Sequence, residues 1–227
     1  MKKKGLIKSN PIFNESLKDL EKRDKTPVPL FVTKSITAIE KSEKGKGMIT
    51  VGIYRYLSSQ VRLRFDSLIV VSRLSGNMMK IEEIKNCVDA GDLDYLAQVQ
   101  DVHNLTGAFK LFFRELKEPL LPWGTALSLI TFEKEKNKSK RIKSIQSELS
   151  KIPTAHRETL KVLLLHLQNV QEFNDKNKMD AKNLATIFGP CLTWRPIVDH
   201  DELVNDLTNQ KSLAEMLISH CESIYEN

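Results

Sequence analysis

Residues 104–123, "NLTGAFKLFFRELKEPLLPW", decide how the rest of the chain is read. Leu105, Ala108, Phe109, Phe112 and Leu116 recur at helical spacing, so one face of a helix is apolar and Pro119 ends it. Lys110, Arg114 and Lys117 fall at i, i+4 and i+7, a second stripe on the same helix. One reading is a plain amphipathic helix with a solvated basic face. The other is a pair of bases one turn apart on a well-anchored helix. Such a pair can hold a partner's carboxylates or the phosphate side of a nucleotide.

The same period continues on both sides. Val28, Val32, Ile36 and Ile39 predict a helix that starts near Pro29. Ile81, Ile84 and Val88 predict another, with Asn77 as N-cap and Gly91 as stop. Ile142, Ile145 and Leu149 mark a helix that ends near Pro153. Leu160, Leu163, Leu164, Leu167 and Val170 follow, capped by Thr154. "MDAKNLATIF" runs to Gly189-Pro190, and Leu213, Met216, Leu217 and Ile224 make the last helix. No internal repeat and no Gly/Ser linker interrupts them. The expectation is one all-α domain over residues 26–227 with short connections. Residues 1–25 are expected to be a basic, loosely attached arm.

The chain has 227 residues, long enough to bury a real core, and 41% of them are hydrophobic. Cys87, Cys191 and Cys221 are odd in number and widely spaced, so neither a disulfide framework nor a zinc site is supported. Cys87 and Cys191 read as small core residues. A reducing, cytoplasmic setting is the simplest expectation, with no metal or cofactor. The basic start has no apolar run of signal length behind it, and no stretch approaches the roughly 18 apolar residues of a membrane span.

The net charge is +6. The excess gathers at Lys2–Lys4 and at Lys134, Lys136, Lys138, Lys140, Arg141 and Lys143. These read as a solvated arm and loop, or as weak attraction to an anionic membrane surface or an acidic partner. Nucleic acid is not expected, because the bases are not interleaved with stacking aromatics. No nucleophile elbow or P-loop is present. His103 and His166 fall within helical patterns and read as structural residues.

Taken together, "VPLFVTKSITAIE", "GIYR", "LSGNMMKIEEIK", "GAFKLFFRELKEPLLP", "HRETLKVLLLHL" and "NLATIFGPCL" resemble the Rho-family GTPase-activating domain, or RhoGAP. The resemblance runs from residue 27 to about residue 195. It is closest to the subgroup with SH3, WW and PH domains upstream. None of those domains stands in this sequence, which reads as an isolated domain, a fragment or a short gene product. The resemblance implies a helical bundle of about eight or nine helices. It also implies a partner, a Rho, Rac or Cdc42-like GTPase in its GTP-bound form, which would recruit the chain to membranes.

Arg55 of "GIYR" matches the family's arginine finger, inserted in trans. Lys110 and Arg114 match paired bases that hold the finger loop and contact the GTPase. Asn183 matches an asparagine at the interface, and Pro119 a proline that shapes the contact surface. Cys191 stands where the family commonly has asparagine, so one local polar contact is in doubt. The resemblance implies an activator without turnover chemistry of its own. Two rivals are a Rho-docking module without activating function and a basic lipid-binding helical domain.

One segment departs from the family. There, "GIYR" runs straight into an "LSGN"-like stretch; here residues 56–73 intervene, and excising them restores "GIYRLSGN". Within it, "VRLRFDSLIVV" alternates like a strand, yet a lone strand has no partner in a helical domain. Arg55-Tyr56 can be encoded with a splice donor and "LIVVSR" with an acceptor. The expectation is therefore a retained intron or a gene-model error rather than an evolved loop, with impaired finger placement either way.

Overall fold

Phenylalanines set the centre of the molecule. In the computed structural model, which describes residues 11–55, 77–195 and 200–225, Phe13, Phe31, Phe109, Phe112 and Phe113 are all fully buried. Phe31 and Phe112 lie 4.9 Å apart between ring centroids, and Phe109 and Phe113 5.2 Å, the latter edge-on. Such geometry suits the ring quadrupoles. Three of the five rings belong to α4 (Val102–Glu115), which packs against α2 (Leu30–Gly45), α3 (Asn77–Asp89) and α9 (Ala181–Leu192).

The other helices close around this core. They are α1 (Leu17–Asp24), α5 (Trp123–Phe132), α6 (Lys138–Leu149), α7 (Thr154–Glu172), α8 (Asn174–Asn177), α10 (His200–Ser219) and α11 (Cys221–Tyr225). Among the described residues, nine of the eleven α-helices have eight residues or more and no strand occurs. Short side chains begin several of them by accepting from first-turn amides. Asp101 does so for α4, Asn137 for α6 and Asp180 for α9. Gly91, at φ +94°, ends α3 as its sequence predicts. No helix among the described residues is long and apolar enough to cross a membrane.

Four expectations need correction. Residues 11–25 are not a loose arm: Ile12, Phe13, Leu17 and Leu20 are core residues. The Asp89 carboxylate accepts from the amides of Ile12 and Phe13, which ties the segment to the end of α3. Thr154 caps nothing; it is the first residue of α7, after Pro153. The last predicted helix is two, α10 and α11, parted at His220. Finally, α9 does not stop at Gly189-Pro190 but runs on to Leu192. Gly189 is a site of close approach. A Cβ there would lie 2.7 Å from the Gln210 carbonyl oxygen of α10. Backbone contact with α10 supports the last turn of α9 where Pro190 lacks an N–H.

Gly189→Ala is therefore expected to cost about 1–3 kcal/mol in urea denaturation, because the backbone of α10 must move. Gly124→Ala, in α5 with nothing within 4 Å of the added methyl, is expected to be neutral or to stabilise by up to about 1 kcal/mol. Equal effects at the two positions would contradict this packing.

Candidate functional site

Gly52 and Tyr54 both sit at positive φ, +70° and +69°. Glycine adopts that conformation freely. For a tyrosine it is strained by about 1–3 kcal/mol, so the surroundings must impose it. Tyr54 is fully buried, its ring 5.0 Å from Phe188 and 6.2 Å from Phe109. Its hydroxyl lies 2.7 Å from His166 Nε2 in α7. Its carbonyl accepts a 2.6 Å hydrogen bond from Lys110 Nζ in α4. On either side, the Gly52 amide donates to Asn177 O at 2.8 Å and the Arg55 amide to Gly52 O at 2.8 Å.

Asn177 is the hub behind this turn. It is fully buried, and its Nδ2 donates to Met48 O (2.9 Å) and Val170 O (2.7 Å). Its Oδ1 accepts from the Met179 amide at 2.8 Å. Three backbone segments thus meet on one amide. The next residue, Lys178, is at φ +62° and presents its carbonyl outward. Two side chains donate to that carbonyl: Arg55 Nη2 at 3.2 Å and Asn183 Nδ2 at 3.1 Å. Arg55 itself is exposed. The structure therefore brings Arg55, Asn183 and, through Tyr54, Lys110 to one corner.

The basic stripe expected on α4 is not a stripe. Lys110 is buried, 1% exposed. Arg114 is half-buried, and its Nη1 makes no hydrogen bond among the described residues. Lys117 lies beyond the end of α4 and pairs with Glu15 Oε2 at 2.7 Å. The reason is that α4 is covered on almost every side, so a polar position in its period still faces protein. Burial, and secondarily the nearby Arg114 charge, lower the Lys110 pKa to about 8, while Cys191 opposes the shift.

Asn183 lies in the first turn of α9, which begins at Ala181 after the N-cap Asp180. Its amide is capped by Asp180 Oδ1 at 2.7 Å, so its own side chain is left to reach Lys178. Pro119 lies half-buried in the α4–α5 connection. The next two residues anchor that connection: Leu120 O accepts from His156 Nδ1 at 2.8 Å, and the Leu121 amide donates to Leu192 O at 2.7 Å. Residues 56–73, and the strand pattern within them, lie outside the described residues. Sequence reasoning missed Asn177, Lys178 and the role of Tyr54. The only local signal was "FNDKNKMD", a run of turn-forming residues.

A family model described as RhoGAP domain matches residues 71–197, more than half of the chain. The chain is 31% identical to Rho GTPase-activating protein 27 of Rattus norvegicus over 99% of its length, 23% of that relative. It is 35% identical to the WW domain-containing protein tag-325 of Caenorhabditis elegans over 85% of its length, 20% of that relative. The crystal structure of human Rho GTPase activating protein 15 superposes with a TM-score of 0.78 at 30% identity, covering 98% of this chain and 95% of that one.

The chain belongs to the RhoGAP domain family. It spans about a fifth to a quarter of the length of the two curated relatives. The family match begins at Val71, so Gly52–Arg55 fall outside it.

Lys110 gives a pH signature. Below about pH 8 its ammonium is charged in both the folded and the unfolded chain. As pH rises from about 8 towards 10.5, the folded chain releases the proton first. The destabilising burial of charge is then relieved, and stability rises with pH through that window. Relative to Lys110→Met, the wild-type chain is expected to gain stability between about pH 7 and about pH 9.5, by at most ~1.4 kcal/mol per unit. Urea denaturation at the two pH values reads the gap. Wild-type stability that stays constant or falls relative to Lys110→Met as pH rises would mean that Lys110 is not desolvated.

Proposed function

We propose that this chain is a GTPase-activating domain for a Rho-family small GTPase in its GTP-bound form, with Arg55 entering the GTPase site in trans. The observation that carries the reading is the Arg55 turn. An exposed guanidinium stands at the end of a backbone fixed from below by Lys110 and from the side by Asn177. GTP hydrolysis builds charge on the phosphoryl oxygens, and a planar guanidinium fork neutralises it. Family membership supports the class of partner. The domain then supplies groups to the partner's reaction and turns over nothing itself.

Within this reading, Arg114, Asn183 and Pro119 belong to the face that meets the GTPase. Lys110, being buried, acts on the finger turn instead. The domain includes residues from at least 11 onward, since α1 belongs to its core. The setting is cytoplasmic, with recruitment to membrane through the GTPase. Exposed Lys134, Lys136, Lys138, Lys140 and Lys143 give at most weak help from an anionic surface.

Residues 56–73 impair the activity in this reading. A finger acts by placing one group where charge develops, and an error of about 1 Å costs on the order of 10²-fold. The segment separates Arg55 from "LSGN", whose Asn77 is the first residue of α3. Its origin as a retained intron or gene-model error is settled by sequencing the transcript across the seam.

The test is GTP hydrolysis by several Rho-family proteins with and without the chain, beside a pull-down. Stimulation supports the reading. Binding without stimulation means a docking module, and liposome binding alone means a lipid-binding domain. Deleting residues 56–73 is expected to raise activity by about 10-fold or more, and Arg55→Ala in that form to abolish it. Equal activity of the full and deleted chains would show that the segment loops out harmlessly. Arg114→Ala and Asn183→Ala are each expected to weaken binding by about 1.5–3 kcal/mol. Normal binding by both, with easier unfolding, would make them structural.

A further inference from the structure

We propose that His166 and Glu40 are positioning residues for the Arg55 turn, acting through the hydroxyl of Tyr54. The inference rests on Arg55 being the finger. Tyr54 directly precedes Arg55, and both of its ends are held. Lys110 fixes its carbonyl, at 2.6 Å, and His166 Nε2 meets its hydroxyl at 2.7 Å. His166 Nδ1 in turn lies 3.2 Å from Glu40 Oε1, on α2.

The proton positions follow from the groups present. A carboxylate only accepts, so Nδ1 of His166 carries the proton and donates to Glu40. A ring protonated at Nδ1 alone leaves Nε2 to accept, and the Tyr54 hydroxyl then donates to it. The hydrogen bond from His166 holds the Glu40 carboxyl below its ordinary pKa, so the acceptor stays ionised. Burial raises the Tyr54 hydroxyl well above its own, so the donor keeps its proton.

The three residues come from α2, α7 and the turn, separated by 126 and 112 positions in sequence. His166 is buried, 2% exposed, whereas the Glu40 side chain reaches solvent. Tyr54 is held in a conformation that tyrosine disfavours, at φ +69°. With the ring pinned at its hydroxyl and the main chain pinned at its carbonyl, the plane of the Tyr54–Arg55 peptide is set. So is the direction in which Arg55 leaves the core. Loss of the hydroxyl anchor frees the ring end, and the strained turn relaxes. Satisfying buried polar atoms would by itself explain the hydrogen bonds, but it predicts no specific effect on Arg55.

The experiment uses the full chain with Tyr54→Phe, His166→Leu, Glu40→Ala and His166→Gln. Hydrogen–deuterium exchange at residues 52–55 is compared with exchange in α4. Stimulated hydrolysis by a GTP-loaded Rho-family GTPase is titrated to separate maximal rate from half-saturation. Tyr54→Phe and His166→Leu are expected to speed exchange in 52–55 and to lower the maximal rate, each by on the order of 10-fold. Half-saturation and α4 exchange should stay close to wild type. Glu40→Ala is expected to give part of the loss. His166→Gln should recover most of it, because its amide can accept from Tyr54 and donate to Glu40.

The proposal is overturned if Tyr54→Phe leaves exchange and maximal rate unchanged. It is also overturned if α4 exchange rises equally, or if only half-saturation moves. Should neither the wild-type chain nor the form lacking residues 56–73 stimulate a GTPase, the finger reading fails, and exchange at 52–55 alone decides whether the relay holds the turn.

Discussion

The hydrogen bond from Lys110 to the Tyr54 carbonyl is the interaction on which the rest of the site depends. An ammonium group inside a helical core is costly unless it is well partnered. Here a carbonyl receives it, and that carbonyl points into the core because Tyr54 has a left-handed backbone. The same twist sends Arg55 outward. The cationic helix position and the strained tyrosine therefore require each other. Phe109, Phe112 and Phe113 of the same helix are fully buried as well.

The second constraint is the corner at residues 177–178. Asn177 joins the 3-10 turn at Met48, the body of α7 at Val170 and the start of the next segment at Met179. It fixes Lys178, whose carbonyl takes both Arg55 and Asn183. A carbonyl has two lone pairs, so the sharing is allowed. Exposed hydrogen bonds of 3.1–3.2 Å are each worth only about 0.5–1.5 kcal/mol net. Arg55 is thus held near one orientation at small cost to release. The proposed transfer of this guanidinium to a phosphoryl oxygen needs both properties.

The helical fold was legible where apolar residues recur on one face, as in α2, α3, α4, α6 and α7. It was not legible in α5, where "WGTALSLITF" is apolar nearly all round and shows no contrast of faces. Nor was it in α1, where Leu17 and Leu20 stand among charges and show themselves as core only through long-range packing. Lys110 marks the limit of periodic reasoning. The spacing set it on a stripe apart from the apolar face, but that stripe is covered too, at Lys110 by Tyr54, 56 residues away. Gly189-Pro190 misled for a related reason. The pair looks like a stop until the close backbone approach of α10 is known. Arg55, Lys110 and Asn183 were named through the resemblance. The geometry that joins Arg55 and Asn183 runs through a backbone carbonyl, which no side-chain pattern reveals.

The most direct measurement is a crystal structure of this chain bound to a Rho-family GTPase carrying GDP and aluminium fluoride, a mimic of the transferring phosphoryl group. The expected result is the Arg55 guanidinium released from Lys178 and within hydrogen-bond distance of the fluoride, with Lys110 still on the Tyr54 carbonyl. A complex in which Arg73 or no arginine of this chain reaches the fluoride, or in which the Lys110 contact is broken, would contradict it.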